Sequence, residues 1–137
     1  MAYKALSLDK LKELLLNVLN DEDGILAEWD TNDGRPRVWL SMSDSPATFA
    51  IEIDYEYFVL VASNGYWGLD WATLDDEASQ TEAFRDLVGC ARDYLEGGFR
   101  LETRHKFLRG DIPVMLLKGA DEDLELEKGS PRDSGWN

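Results

Sequence analysis

The run TFAIEIDYEYFVLVAS, residues 48–63, limits the fold more than any other stretch of the chain. Phe49, Ile51, Ile53 and Tyr55 alternate with Glu52, Asp54 and Glu56, a period of two that suits a strand with one buried face. From Tyr57 to Ala62 the alternation gives way to unbroken apolar sequence, as in a strand covered on both faces. No glycine or proline between Asp54 and Glu56 decides whether the chain turns there or bends as one strand. Either arrangement demands a sheet and something to cover it. A chain of 137 residues suits one domain with a single core.

The flanking segments supply the cover and the neighbours. Leu8, Leu11, Leu15, Val18 and Leu19 fall at helical spacing and predict a helix that ends before Gly24. Strand patterns at Ile25–Asp30 and Arg37–Ser43 flank TNDGRP, whose Asp33-Gly34 pair signals a hairpin. Asn64-Gly65 signals another, leading into YWGLDWAT. There Trp67, Leu69 and Trp71 share one face, and Tyr66, Gly68 and Asp70 the other. Large apolar side chains are mostly buried, so the tryptophan face reads as the inward one.

A second helix is expected from SQTE, residues 79–82, with Ser79 as N-cap and Glu82 completing a capping box. Its stripe is Phe84, Leu87, Val88, Ala91 and Leu95, and Gly97-Gly98 ends it. Strands at Phe99–Lys106 and Ile112–Leu117 follow, with Arg109-Gly110-Asp111 read as part of the turn between them. The remainder, GADEDLELEKGSPRDSGWN, is polar and acidic and reads as a disordered tail. The expectation is an α+β fold: an antiparallel sheet of about six strands with two helices on one face. The order is helix, four or five strands, helix, two strands, with residues 1–118 as the domain and 119–137 as the tail.

Catalytic patterns are missing: no Gly-rich phosphate loop, HExxH, CxxC or GxSxG occurs. The lone histidine, His105, excludes any site that needs two, and could in principle pair with Cys90 as base and nucleophile. Cys90 falls beside the apolar stripe of the second helix, and His105 shares a strand face with Phe99, Leu101, Thr103 and Phe107, so both read as structural. The acidic clusters lack the spacing of an EF-hand loop. Neither an enzyme, a cofactor nor a dedicated metal site is expected. The start MAYKALSLDKLKEL has no apolar signal core, and the longest uncharged run, Tyr57 to Leu69, is too short for a membrane helix. A soluble cytoplasmic protein is expected.

Charge points more firmly. There are 28 acidic against 14 basic residues, a formal net charge of −14, which repels nucleic acid and anionic lipid and favours a basic protein partner. On one strand, Glu52, Asp54 and Glu56 would form a row of anions spaced like phosphates. These three, with Asp70 and with Tyr66 as an aromatic anchor, are the expected partner-binding residues. The bland reading of the row is a solvated face, partly neutralised by Arg100, Arg104 and Lys106 from a neighbouring strand.

The capped helix ending in Gly97-Gly98 and running into FRLETRHK and IPVMLL resembles the ending of small bacterial immunity-type proteins. The resemblance covers the pattern of residues 79–118 together with size and acidity. It implies a non-enzymatic inhibitor domain that caps a basic partner such as a nuclease toxin. The order of elements is also similar to class I type III secretion chaperones, which implies the runner-up: a homodimer that holds an extended protein segment.

Overall fold

The computed structural model describes residues 6–54, 56–73, 76–131 and 136. Two helices and eight strands alternate as α1 (Leu8–Asn20), β1 (Leu26–Asn32), β2 (Arg35–Ser41), β3 (Thr48–Ile53), β4 (Tyr57–Ala62), β5 (Tyr66–Trp71), α2 (Glu77–Leu95), β6 (Arg100–Lys106), β7 (Gly110–Leu117) and β8 (Leu124–Lys128). The strands form one antiparallel sheet in the order β1-β2-β3-β4-β5-β8-β7-β6. The class is α+β, with two more strands than the six expected and three, not two, after α2.

Local chemistry explains the first half. Ser7 caps α1 by accepting from the Lys10 amide, satisfying one of the amides a helix start leaves open. Asp33 and Gly34 both take positive φ, 54° and 80°, as the two-residue turn between β1 and β2 requires. The long β run does break: the Asp54 amide donates to Tyr57 O, and β4 returns beside β3. Position 55 lies outside the described residues. α2 begins three residues before the capping box, because Asp76 is its N-cap and accepts from the Ser79 amide at 2.7 Å.

Residues 119–131 overturn the tail reading for that stretch, whereas 132–135 and 137 lie outside the described residues. β8 lies between β5 and β7, and Leu126 is fully buried. The loop before it is fastened to α2. Asp93 accepts from the Lys118 amide and Asp86 from the Asp121 amide. Gly89 lets the chain pass close to the helix, since a Cβ there would stand 3.2 Å from the Ala120 nitrogen.

The core lies between the helices and one face of the sheet. Leu11, Leu15, Phe84, Val88 and Ala91 from the helices meet Val38, Ile51, Leu60, Met115 and Leu126 from the strands. Phe58 and Phe84 pack with ring centroids 5.0 Å apart. Both helices serve this one face, which among the described residues leaves the opposite face of the sheet without a helix.

Candidate binding surface

Register assigns the residues of the uncovered face. Pairings run Trp39–Ala50–Val61–Trp67–Glu127 in one row and Arg37–Glu52–Val59–Leu69 in the next. A third row holds the pair Tyr57–Trp71. In contrast to the expectation, Trp67, Leu69 and Trp71 belong to this face and not to the core. Leu69 is 45% exposed and Trp71 67%, with Trp71 held edge-on against Tyr57. The inversion has a cause in packing. Gly68 faces the helices, where the Leu126 side chain occupies the space a Cβ would need, and Tyr66 beside it is only 8% exposed. Tyr66 is therefore a core residue and no exposed anchor.

The expected anion row is also dispersed. Glu52 is fully buried. Its Oε1 accepts from Asn32 Nδ2 at 2.6 Å, and its Oε2 lies 3.4 Å from Arg35 Nε. Arg35 also reaches Asp54 at 3.4 Å, so two of the three anions share one cation. Glu56 is exposed in the β3–β4 connection. Asp70 faces the helix side instead, in a pocket with Asp86, Cys90, Glu122 and Asp123.

Cations of β6 do not reach β3, five places away across the sheet. Arg104 and Lys106 both bind Glu125 at 3.0 Å, and Arg109 binds Glu127 at 2.7 Å. These ties draw the β6–β7 hairpin toward β8 and set Arg109 beside Trp67 and Leu69 around a cleft. The hairpin tip exposes Phe107 and Leu108 almost completely. His105 is 79% exposed and pairs with Asp111, not the half-buried residue its neighbours suggested. Trp136 covers the β2 end of the face, packing against Trp39 and Arg37.

Cys90 is buried and contacts the carbonyl oxygens of Leu117 and Glu122, whereas His105 is exposed and pairs with Asp111. Burial pushes its thiol up to about 12, helped by the charges of Asp86, Asp123, Asp70 and Asp93. The thiolate fraction at neutral pH is then roughly a thousandfold below that of an ordinary thiol. Alkylation of the folded protein by iodoacetamide should accordingly be at least a hundredfold slower than in urea; equal rates would mean the pocket opens.

Burial, and then the charges of Glu122 and Asp86, raise the Asp70 carboxyl above its ordinary range. A carboxyl raised in the folded state binds protons more tightly there than in the unfolded chain. It therefore opposes folding above its folded pKa, and the penalty fades as pH falls toward the unfolded value. Asp70→Asn should raise the melting temperature at pH 7, by an increment that shrinks toward pH 4. A constant increment would trace the gain to packing and not to charge.

Among the described residues no group of three or more His, Cys, Asp or Glu side chains is placed to hold a metal ion, and no helix is long and apolar enough to cross a membrane. Comparison with protein-family models, curated proteins and solved structures returns no match.

Proposed function

We propose that the chain is a non-enzymatic protein-binding domain that docks a basic partner on the uncovered face of its sheet. One observation carries this reading: Leu69 and Trp71 stand exposed on the helix-free face of the sheet in a protein with net charge −14. Aromatic and aliphatic side chains in such a position gain by being covered. The surrounding charge draws cationic proteins toward them and speeds encounter.

An inhibitor of the immunity type, capping a nuclease-like toxin, is the biological class that fits this chemistry best. The acid is not a phosphate-like track, since Glu52 and Asp54 are engaged with Arg35. Acidity therefore acts as a long-range field, with Glu56 and the apolar patch supplying contacts.

The test is affinity capture from the native host on immobilised full-length protein, eluted with rising salt and identified by mass spectrometry. A basic protein whose recovery declines as salt screens the field is the expected result. Recovery only of the chain itself, as a dimer unaffected by salt, would overturn the inhibitor reading and favour the secretion-chaperone-like alternative.

A further inference from the structure

The β6–β7 hairpin ends in a finger that the fold itself does not use. Phe107 is 86% exposed and Leu108 90%, more than any other large apolar side chain among the described residues. The Arg109 amide closes the turn on Lys106 O at 3.0 Å, and Leu108, the third of its four residues, takes φ 66°. Glycine meets a positive φ at that place without steric cost, whereas leucine strains the backbone. Backbone and solvent therefore both favour glycine at position 108, yet the chain carries leucine there. Its side chain stands in solvent, so no packing within the described chain offsets either cost. Strain kept at an exposed residue points to a contact made outside the chain.

Beside the finger stands a plate. Leu69 and Trp71 are exposed on the helix-free face, and Arg109, next to Leu108, lines one cleft with Trp67 and Leu69. The root of the finger is braced by Arg104 and Lys106 on Glu125 and by Arg109 on Glu127. Those ties also cancel charge. Residues 99–118 carry 5 basic and 2 acidic side chains, and with Glu125 and Glu127 the corner has a net charge of only +1 in a chain of −14. Both halves of an apolar contact thus flank one cleft, and neither covers the other within the chain.

We infer that the protein forms a two-fold dimer in which Phe107 and Leu108 of each copy cover Leu69 and Trp71 of the other. A two-fold axis lying in the interface and passing through the cleft exchanges finger and plate, so one contact is made twice, as a self-complementary interface requires. A second copy is the occupant because it offers a plate for the finger and a finger for the plate at once. An anionic bilayer would meet the repulsion of the acidic body and leave the plate bare. The near-neutral finger is the place where a second acidic body can approach. The dimer hides Leu69 and Trp71, so a basic partner gains them only from the monomer. That last consequence rests on the function proposed above; the dimer itself does not.

Sedimentation equilibrium of the full-length protein tests the association directly. The contact stands at the small end of specific interfaces, and a Kd of about 10–100 µM is expected. Apolar contacts between bodies of like charge should tighten at least threefold from low to high salt, because salt screens the repulsion. A complex with a basic partner loosens under the same change. Leu108→Gly should weaken the dimer at least tenfold while its melting temperature, measured below the dimer's Kd, stays equal or rises as the turn relaxes. In a mixture of Phe107→Cys and Trp71→Cys chains, a short bismaleimide should join unlike chains at least fivefold faster than like ones.

A monomer up to about 1 mM, a dimer that salt dissociates, or a dimer untouched by Leu108→Gly would overturn the inference. So would like chains joined as fast as unlike ones, or a lower melting temperature in Leu108→Gly, which would assign the leucine to the fold. All these measurements use the chain alone. Failure of the dimer leaves capture of a basic partner standing, and a dimer formed where no basic partner is captured removes that reading alone.

Discussion

Glu52→Lys is expected to leave the domain largely unfolded at 37 °C. The carboxylate is fully buried between Arg37 and Val59 in the sheet register, where it answers the charge of Arg35 and accepts a hydrogen bond from Asn32. Removing one member of a buried ion pair costs about 3–5 kcal/mol. Lysine would add a third cation beside Arg35 and Arg37, with less room than its chain requires. That sum takes up much or all of the 5–15 kcal/mol typical of a folded domain. Glu52→Gln keeps the shape and the Asn32 contact but leaves Arg35 under-compensated, so a loss of about 1.5–3 kcal/mol is expected. Urea unfolding followed by circular dichroism measures both. If Glu52→Lys folds within about 1 kcal/mol of the unaltered chain and binds its partner more slowly, Glu52 belongs to the interface and the structural assignment fails.

Position 52 also shows where reading a sequence stops. Alternation placed Glu52 opposite Phe49, Ile51 and Ile53, and the structure agrees on the faces. It does not follow that the second face is wet. Arg35 and Arg37 from β2 meet Glu52 there, and periodicity along one strand carries no information about what the adjacent strand brings. The Asp33-Gly34 turn, the stripes of α1 and α2, and the glycine exit at residue 97 were legible because each depends on neighbours in sequence. The face of β5 was not. Its composition favours burial of the tryptophans, but Leu126 from β8 fills the space over Gly68 and draws the Tyr66 face inward.

The fate of residues 119–128 has the same origin. LELEK reads as polar tail because its only large apolar positions are Leu124 and Leu126. One fully buried leucine, ladders to β5 and β7, and side chains of α2 that bind the loop are enough to order it. Gly119, where a Cβ would collide with the Glu122 carbonyl oxygen, meets a demand that only the folded chain reveals. Of the expected partner-binding residues, Glu56 alone remains a plain exposed anion, whereas Tyr66 supports the core and Asp70 lines the pocket beside Cys90. The tryptophans set aside as core are the ones that reach the surface.

That reversal leads to the second large effect. Combining Leu69→Ala with Trp71→Ala should weaken capture of the basic partner at least thirtyfold while leaving the fold intact. Buried aromatic anchors at an interface centre are worth about 2–4 kcal/mol each when truncated, and about 1.4 kcal/mol corresponds to tenfold in affinity. Because Leu69 and Trp71 are already exposed, their truncation opens no cavity in the core, and a change in folding stability within about 1 kcal/mol is expected. The effect should fall on dissociation, whereas Glu56→Lys should act on association and vanish at high salt, because charge steers encounter and contact holds the complex. Surface plasmon resonance with the captured partner at two salt concentrations separates the two rates. Unchanged dissociation in the double variant would remove the patch from the interface, and the field of the acidic surface would then be left to hold the partner without an anchor, which solvent-exposed carboxylates cannot do tightly.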